Sequence, residues 1–99
     1  MVHPLLNPDS ANYYDNGTKP AIQILEEQTS VGKQIGWCEG NIFKYAHRAE
    51  IKGTKEADLK KKQTYEDYLR LLNSMGSEAK YMRVTDAYKK YGIKVEYAL

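Results

Sequence analysis

Between two glycines the chain reads Gly40-Asn41-Ile42-Phe43-Lys44-Tyr45-Ala46-His47-Arg48-Ala49-Glu50-Ile51-Lys52-Gly53. Wound into a helix, Lys44, Arg48 and Lys52 fall four residues apart and form one cationic stripe. Asn41 extends the stripe by a turn, and Ile42, Ala46 and Ala49 take the opposing side. Like charges at this spacing repel by roughly 0.2–0.5 kcal/mol a pair. An anion laid along the stripe turns that repulsion into attraction. Arg48 can grip a phosphate through two parallel hydrogen bonds, with Lys44 and Lys52 as point charges. The competing reading is a solvated face with salt bridges to Glu50, Glu56 or Asp58. Tyr45 can stack on a base or fill an interface. His47 can move a proton, although a lone histidine is more often a plain hydrogen-bonding group. Downstream, Asp58, Lys60, Lys61, Lys62 and Tyr65 offer further charge, with Asp58 either a site carboxylate or a partner of the helix dipole.

Other chemistries fit poorly. His3, His47 and Cys38 have no metal-ligand spacing, so no protein-bound metal is expected. Cys38 sits at an apolar helical position beside Trp37, which favours a buried thiol over a nucleophile. Val31-Gly32-Lys33-Gln34 has the Gly-Lys pair of a phosphate loop but neither the upstream glycine nor the following Ser/Thr.

The elements that must position these residues read as helices. Pro4, Pro8, Asp9-Ser10 and Asp15-Asn16-Gly17 are turn chemistry, so residues 1–18 are expected as an irregular arm. Pro20 opens a first helix running to Gln28, and Thr29 to Gly32 breaks it. Ile35, Cys38, Ile42, Ala46 and Ala49 give a second helix over about 34–52, closed by Gly53. Thr54 caps a third, with Leu59, Tyr65, Leu69 and Leu72 as its apolar stripe, running to about Asn73. A fourth is expected over about 78–91, with Tyr81, Val84, Tyr88 and Tyr91 along one side and Gly92 as its stop. Ile93, Val95, Tyr97 and Leu99 then alternate as a strand would, with no partner in the chain. The expected fold is all-α: one domain, a small bundle of three to four helices, with 1–18 as arm, 19–91 as helical core and 92–99 as extended tail.

Size and charge narrow the classes. Ninety-nine residues make one domain with a thin core, so a homo-oligomer is expected. One cysteine excludes an internal disulfide framework and suggests the cytoplasm. No apolar run approaches a membrane span. The net charge is +2, but residues 44–62 carry seven basic groups against three acids, which favours an anionic partner. Nucleic acid is a poor fit, since the isoelectric point near 8.6 is modest and no helix-turn-helix pattern stands out. Nine tyrosines against one Phe and one Trp suit interfaces or base-stacking pockets.

The segment Gly-Asn-x-x-Lys-Tyr-x-x-Arg-Ala-x-x-Lys-Gly at 40–53, followed by Asp58-Leu59-Lys60-Lys61-x-x-x-Tyr65, resembles a small bacteriophage family of nucleotide kinases. Upstream, Tyr14, Gly17, Pro20 and Ile22 resemble that family's N-terminal arm, and the resemblance spans roughly residues 12–72. It implies phosphoryl transfer from ATP to a deoxynucleoside monophosphate without a P-loop, in the cytoplasm of an infected bacterial host. It places Asn41, Lys44, Tyr45, Arg48 and Lys52 at the nucleotide, with Asp58, Lys61 and Tyr14 nearby and Arg48 and Lys44 as the catalytic cations. Magnesium could accompany the triphosphate. The family's His-Tyr pair is Tyr13-Tyr14 here. That departure keeps a second expectation open: a non-catalytic protein that sequesters a cyclic or dinucleotide defence signal.

Overall fold

The computed structural model describes residues 1–6, 19–51 and 53–97. It is all-α, with four helices and no extended sheet among the described residues. Helix α1 spans Ala21–Gln28, α2 Val31–Ile51, α3 Lys55–Asn73 and α4 Val84–Lys90, with a short 3-10 turn at Ser77–Ala79. Helices α2 and α3 form a long hairpin; α1 packs with α4. No described helix is long and apolar enough to cross a membrane.

The first helix does break at Thr29, but the break is only Thr29 and Ser30, so α2 begins at Val31, earlier than the sequence suggested. Ser30 is its N-cap: the Ser30 hydroxyl accepts from Lys33 N–H at 3.2 Å and its carbonyl from Gln34 N–H at 3.1 Å. The two remaining free amides of the first turn come from Val31 and Gly32. They donate to the carbonyls of Met82 and Lys80, each at 2.9 Å. Segment 80–84 is thereby held as an extended link, closed by Val84 N–H to Thr29 O at 3.0 Å. For this reason the expected helix over 78–91 is only Val84–Lys90. Of the four residues expected along one side of it, Val84 and Tyr88 are buried, but Tyr81 is 86% exposed and Tyr91 lies at the surface.

The stops follow backbone geometry. Gly76 has φ of 83° after α3, and Gly92 has φ of 69° after α4, values that favour glycine. Ile93 N–H reaches Tyr88 O at 2.8 Å and Gly92 N–H reaches Lys89 O at 3.3 Å, the two bonds of a Schellman ending. Thr54 stands at the head of α3, but its hydroxyl donates to the Asp58 carboxylate at 2.8 Å rather than capping an amide. Leu59, expected in the apolar stripe of α3, is exposed; Tyr68 and Leu72 are the fully buried positions.

Both chain ends join the core. His3, Leu5 and Leu6 are buried, so the first residues of the arm are packed structure. The tail has a partner after all: Val2 and Glu96 form a parallel bridge, with His3 N–H to Glu96 O at 2.9 Å and Glu96 N–H to Met1 O at 2.7 Å. Together with Ile22, Val31, Cys38, Tyr65, Met75 and Ala87, these elements enclose one hydrophobic core.

Candidate functional site

Lys44 and Arg48 of the cationic stripe lie where α2 ends and α3 begins. The short turn between the two helices runs them antiparallel, so the last turns of α2 face the first turns of α3. Lys44 on α2 and Lys61 on α3 both reach the Tyr45 ring, with ammonium nitrogens 4.7 and 5.6 Å from its centroid. Tyr45 itself is buried and lies nearly parallel to Tyr65, centroids 5.9 Å apart. Tyr65 in turn meets Trp37 edge-on at 5.3 Å. Tyr45 is therefore committed to the hairpin and is not a free platform for a base, as the sequence reading had allowed. Its ring faces the ammonium groups of Lys44 and Lys61.

Arg48, one helical turn further on, pairs with Asp58 on α3, Nε to Oδ1 at 3.7 Å. Asp58 is almost wholly buried and takes the Thr54 hydroxyl on its other oxygen. The competing salt-bridge reading thus holds for this one pair. Arg48 remains about half exposed, and the contact uses Nε alone. Among the described residues no partner is found for its two terminal nitrogens, the pair that forks around a phosphate. Asp58 thus aims a guanidinium that is still able to bind. Beside Lys61 lies a depression of about 490 Å³ lined by Glu56, Ala57, Lys60 and Lys61. Asn41 turns inward along its own helix, its amide donating to Trp37 O at 2.9 Å. Tyr14 and Lys52 lie outside the described residues. His47 is exposed on a different flank, stacked parallel to Phe43 at 6.2 Å.

The structure thus brings Lys44, Tyr45, Arg48, Asp58 and Lys61 together. The arrangement can neutralise and orient an anion. Among the described residues no group of three or more His, Cys, Asp or Glu side chains is placed to hold a metal ion.

Sequence reasoning missed a second polar centre. Glu26 on α1 is wholly buried, and its carboxylate is ringed by donors from four other parts of the chain. Oε2 accepts from His3 Nε2 at 3.0 Å, Tyr68 OH at 2.5 Å and Tyr88 OH at 2.7 Å; Oε1 accepts from Tyr97 OH at 2.6 Å. Leu5 N–H points at His3 Nδ1 at 3.1 Å, which assigns the ring proton to Nε2 and makes His3 a donor to Glu26. Burial alone would raise the Glu26 pKa. The His3 contact and the hydroxyls of Tyr68 and Tyr97 outweigh it and hold the carboxyl below its usual value. Burial and the adjacent Glu26 charge push the Tyr68, Tyr88 and Tyr97 phenols upward, so they stay protonated donors. Cys38, also buried near this charge, is pushed up to about 12, an unreactive thiol as expected. Two signals in the sequence pointed here. Glu26 falls four residues after Ile22, on the buried face of α1, and the excess of Tyr over Phe demands buried acceptors.

Compared with known proteins, the chain matches over residues 8–67 a family described as a protein of unknown function, DUF3310. The chain belongs to the DUF3310 family. No curated protein and no solved structure matches it. The family segment contains Glu26, Lys44, Tyr45, Arg48, Asp58 and Lys61, and ends one residue before Tyr68. All four donors to Glu26 therefore lie outside the segment that defines DUF3310, while the Lys/Arg cluster lies wholly inside it.

Proposed function

We propose that this DUF3310 protein binds a nucleotide through its phosphates at the α2–α3 end and acts as a nucleoside monophosphate kinase without a P-loop. The observation that carries the reading is the convergence of Lys44 and Lys61, from two helices, on one tyrosine ring, with Arg48 held beside them by Asp58. Phosphoryl transfer asks for positioning and charge neutralisation more than for covalent chemistry. In the proposed step an oxygen of the deoxynucleoside monophosphate bonds to the γ-phosphorus of ATP, the bond from that phosphorus to the β,γ-bridging oxygen breaks, and ADP leaves. Arg48 and Lys44 neutralise the charge on the transferred group, Lys61 steadies the neighbouring phosphates, and magnesium enters with ATP.

One observation favours the second reading, sequestration of a cyclic or dinucleotide signal without turnover. Asp58, the carboxylate of the cluster, is buried and engaged by Thr54 and Arg48, which makes it a positioning group rather than a base.

The test is to incubate the protein with ATP and a panel of deoxynucleoside monophosphates, with and without magnesium, and to resolve products by ion exchange. A new diphosphate is expected, with the rate falling about a hundredfold or more in Arg48→Ala, the scale of losing one charged transition-state contact. Full activity in that variant overturns the site. No product but a nucleotide retained through gel filtration replaces catalysis by sequestration. Neither product nor binding overturns both readings.

A further inference from the structure

The α2–α3 hairpin is covered on one face by α1, α4 and the two chain ends, and bare on the other. The bare face carries a groove of about 640 Å³ between the helices, lined by Glu39, Ile42 and Phe43 of α2 and Glu66, Leu69 and Arg70 of α3. It is separate from the Lys44–Arg48 flank. Phe43 stands at its edge, 74% exposed, the most exposed large apolar side chain of α2. Such a ring leaves most of its apolar surface in water. We infer that this face is the interface between two copies of the chain, related by a two-fold axis, with Phe43 of each copy seated in the groove of the other.

Four observations select a second copy as the occupant. First, the molecule is only 20 Å across its thinnest direction, about two helix layers. Laying one hairpin on another gives a four-helix bundle in which the long helices are buried from both sides. Second, projection and trough lie on the same face, the requirement for a patch that must fit itself. Third, the rim has both signs of charge. Glu66 pairs with Lys62 at 3.8 Å and Arg70 with Asp67 at 3.2 Å within the chain. Glu39 disfavours nucleic acid or an anionic membrane, whereas a two-fold rotation can set the exposed Arg70 of one copy against the Glu39 carboxylate of the other. Fourth, the area is of the right order. A stable pair needs about 800 Å² from each partner, and a face as long as the 21-residue α2, about 31 Å, and two helix diameters wide, about 20 Å, offers roughly 600 Å².

Sedimentation equilibrium of the full chain reads this directly. The wild type is expected at twice the 11.4 kDa chain mass or a multiple of it. Phe43→Glu should weaken association at least about tenfold, with helix content and melting of the monomer retained because the ring is at the surface. A wild type that stays monomeric up to about 100 µM overturns the inference, as does an assembly that Phe43→Glu leaves intact. If Phe43→Glu fails to fold, Phe43→Cys decides. A short bismaleimide should join it into covalent dimers, while Tyr81→Cys, exposed but outside the groove, should stay single. Equal cross-linking of the two overturns the interface. Kinase activity plays no part in the readout, so failure here leaves the nucleotide reading standing, and the reverse.

Discussion

The Tyr97 hydroxyl donates to Glu26 Oε1 at 2.6 Å across 71 residues of sequence. It fastens the tail to the first helix through a carboxylate that no lysine or arginine among the described residues neutralises. Glu26 is charged and buried, and its compensation is four hydrogen-bond donors supplied by His3, Tyr68, Tyr88 and Tyr97. Such an arrangement stands or falls as a unit, because removing the acceptor strands every donor at once.

Glu26→Gln therefore tests the keystone with almost no change of shape. An amide cannot accept from both of its ends, so whichever way it turns, donors meet an N–H group. The variant is expected to lose about 2–4 kcal/mol of stability, the scale of breaking a buried charge network. Urea unfolding checks it. A loss within experimental error would show that the four donors find other partners.

The same carboxylate sets a pH dependence. Its folded pKa lies below the ordinary value of 4.5. The unfolded chain therefore binds the Glu26 proton more readily, and the contribution is fully present above 4.5. It is lost as the pH falls through the lower folded value. The wild type should lose stability as acid is added below that point, and Glu26→Gln should flatten this part of the curve. Unfolding free energies measured between neutral and acid pH decide it. Parallel curves for the two proteins would assign the acid sensitivity to other carboxylates.

The tail makes a separable prediction. From the sequence alone, residues 93–99 alternate like a strand without a partner, which leaves them either to pack as an extended tail or to pair with another copy. In the structure the partner is the chain's own first residues, through the Val2–Glu96 bridge, and Tyr97 closes on Glu26. Removing 93–99 should therefore lower the melting temperature without lowering the assembly size. Tyr97→Phe alone should cost about 1.5–3 kcal/mol, the range for a hydrogen bond to a charge. A truncation that melts like the wild type but sediments at lower mass would return the tail to an intermolecular role.

Local chemistry was legible in the sequence, and long-range pairing was not. The helical class and the buried Cys38 follow from spacing of three and four residues, the stop at Gly92 follows from glycine's backbone freedom, and the closeness of Asp58 and Lys61 to Lys44 and Arg48 was implied by the family resemblance alone. Period arithmetic places a residue on a face without saying what stands opposite. Hence the sequence left Tyr45 either to stack on a base or to fill an interface, and Tyr65 lies against its ring; Tyr81, expected along one side of a longer helix, is exposed because 80–84 caps α2. Glu26 was missed for the same reason. Its four donors lie 23, 42, 62 and 71 residues away, and no local pattern records such a meeting.

The three glycines of α2 separate helix propensity from packing. Gly32, Gly36 and Gly40 stand on one helix, where alanine is ordinarily better by about 1 kcal/mol. At Gly36 and Gly40 an added Cβ meets nothing within 4 Å. Alanine there should stabilise the protein by up to about 1 kcal/mol each. At Gly32 the added carbon would lie 2.9 Å from Lys80 Cγ and 3.1 Å from Lys80 O. The Lys80 side chain can swing away, but its carbonyl is the acceptor that caps Gly32 N–H. Gly32→Ala must push that carbonyl back, lengthen the bond and loosen the 80–84 link against the start of α2. Its expected effect is a net loss, opposite in sign to the other two. Thermal melts of the three single variants provide the comparison, and a Gly32→Ala protein as stable as Gly36→Ala would show that the Lys80 contact does not constrain the helix start.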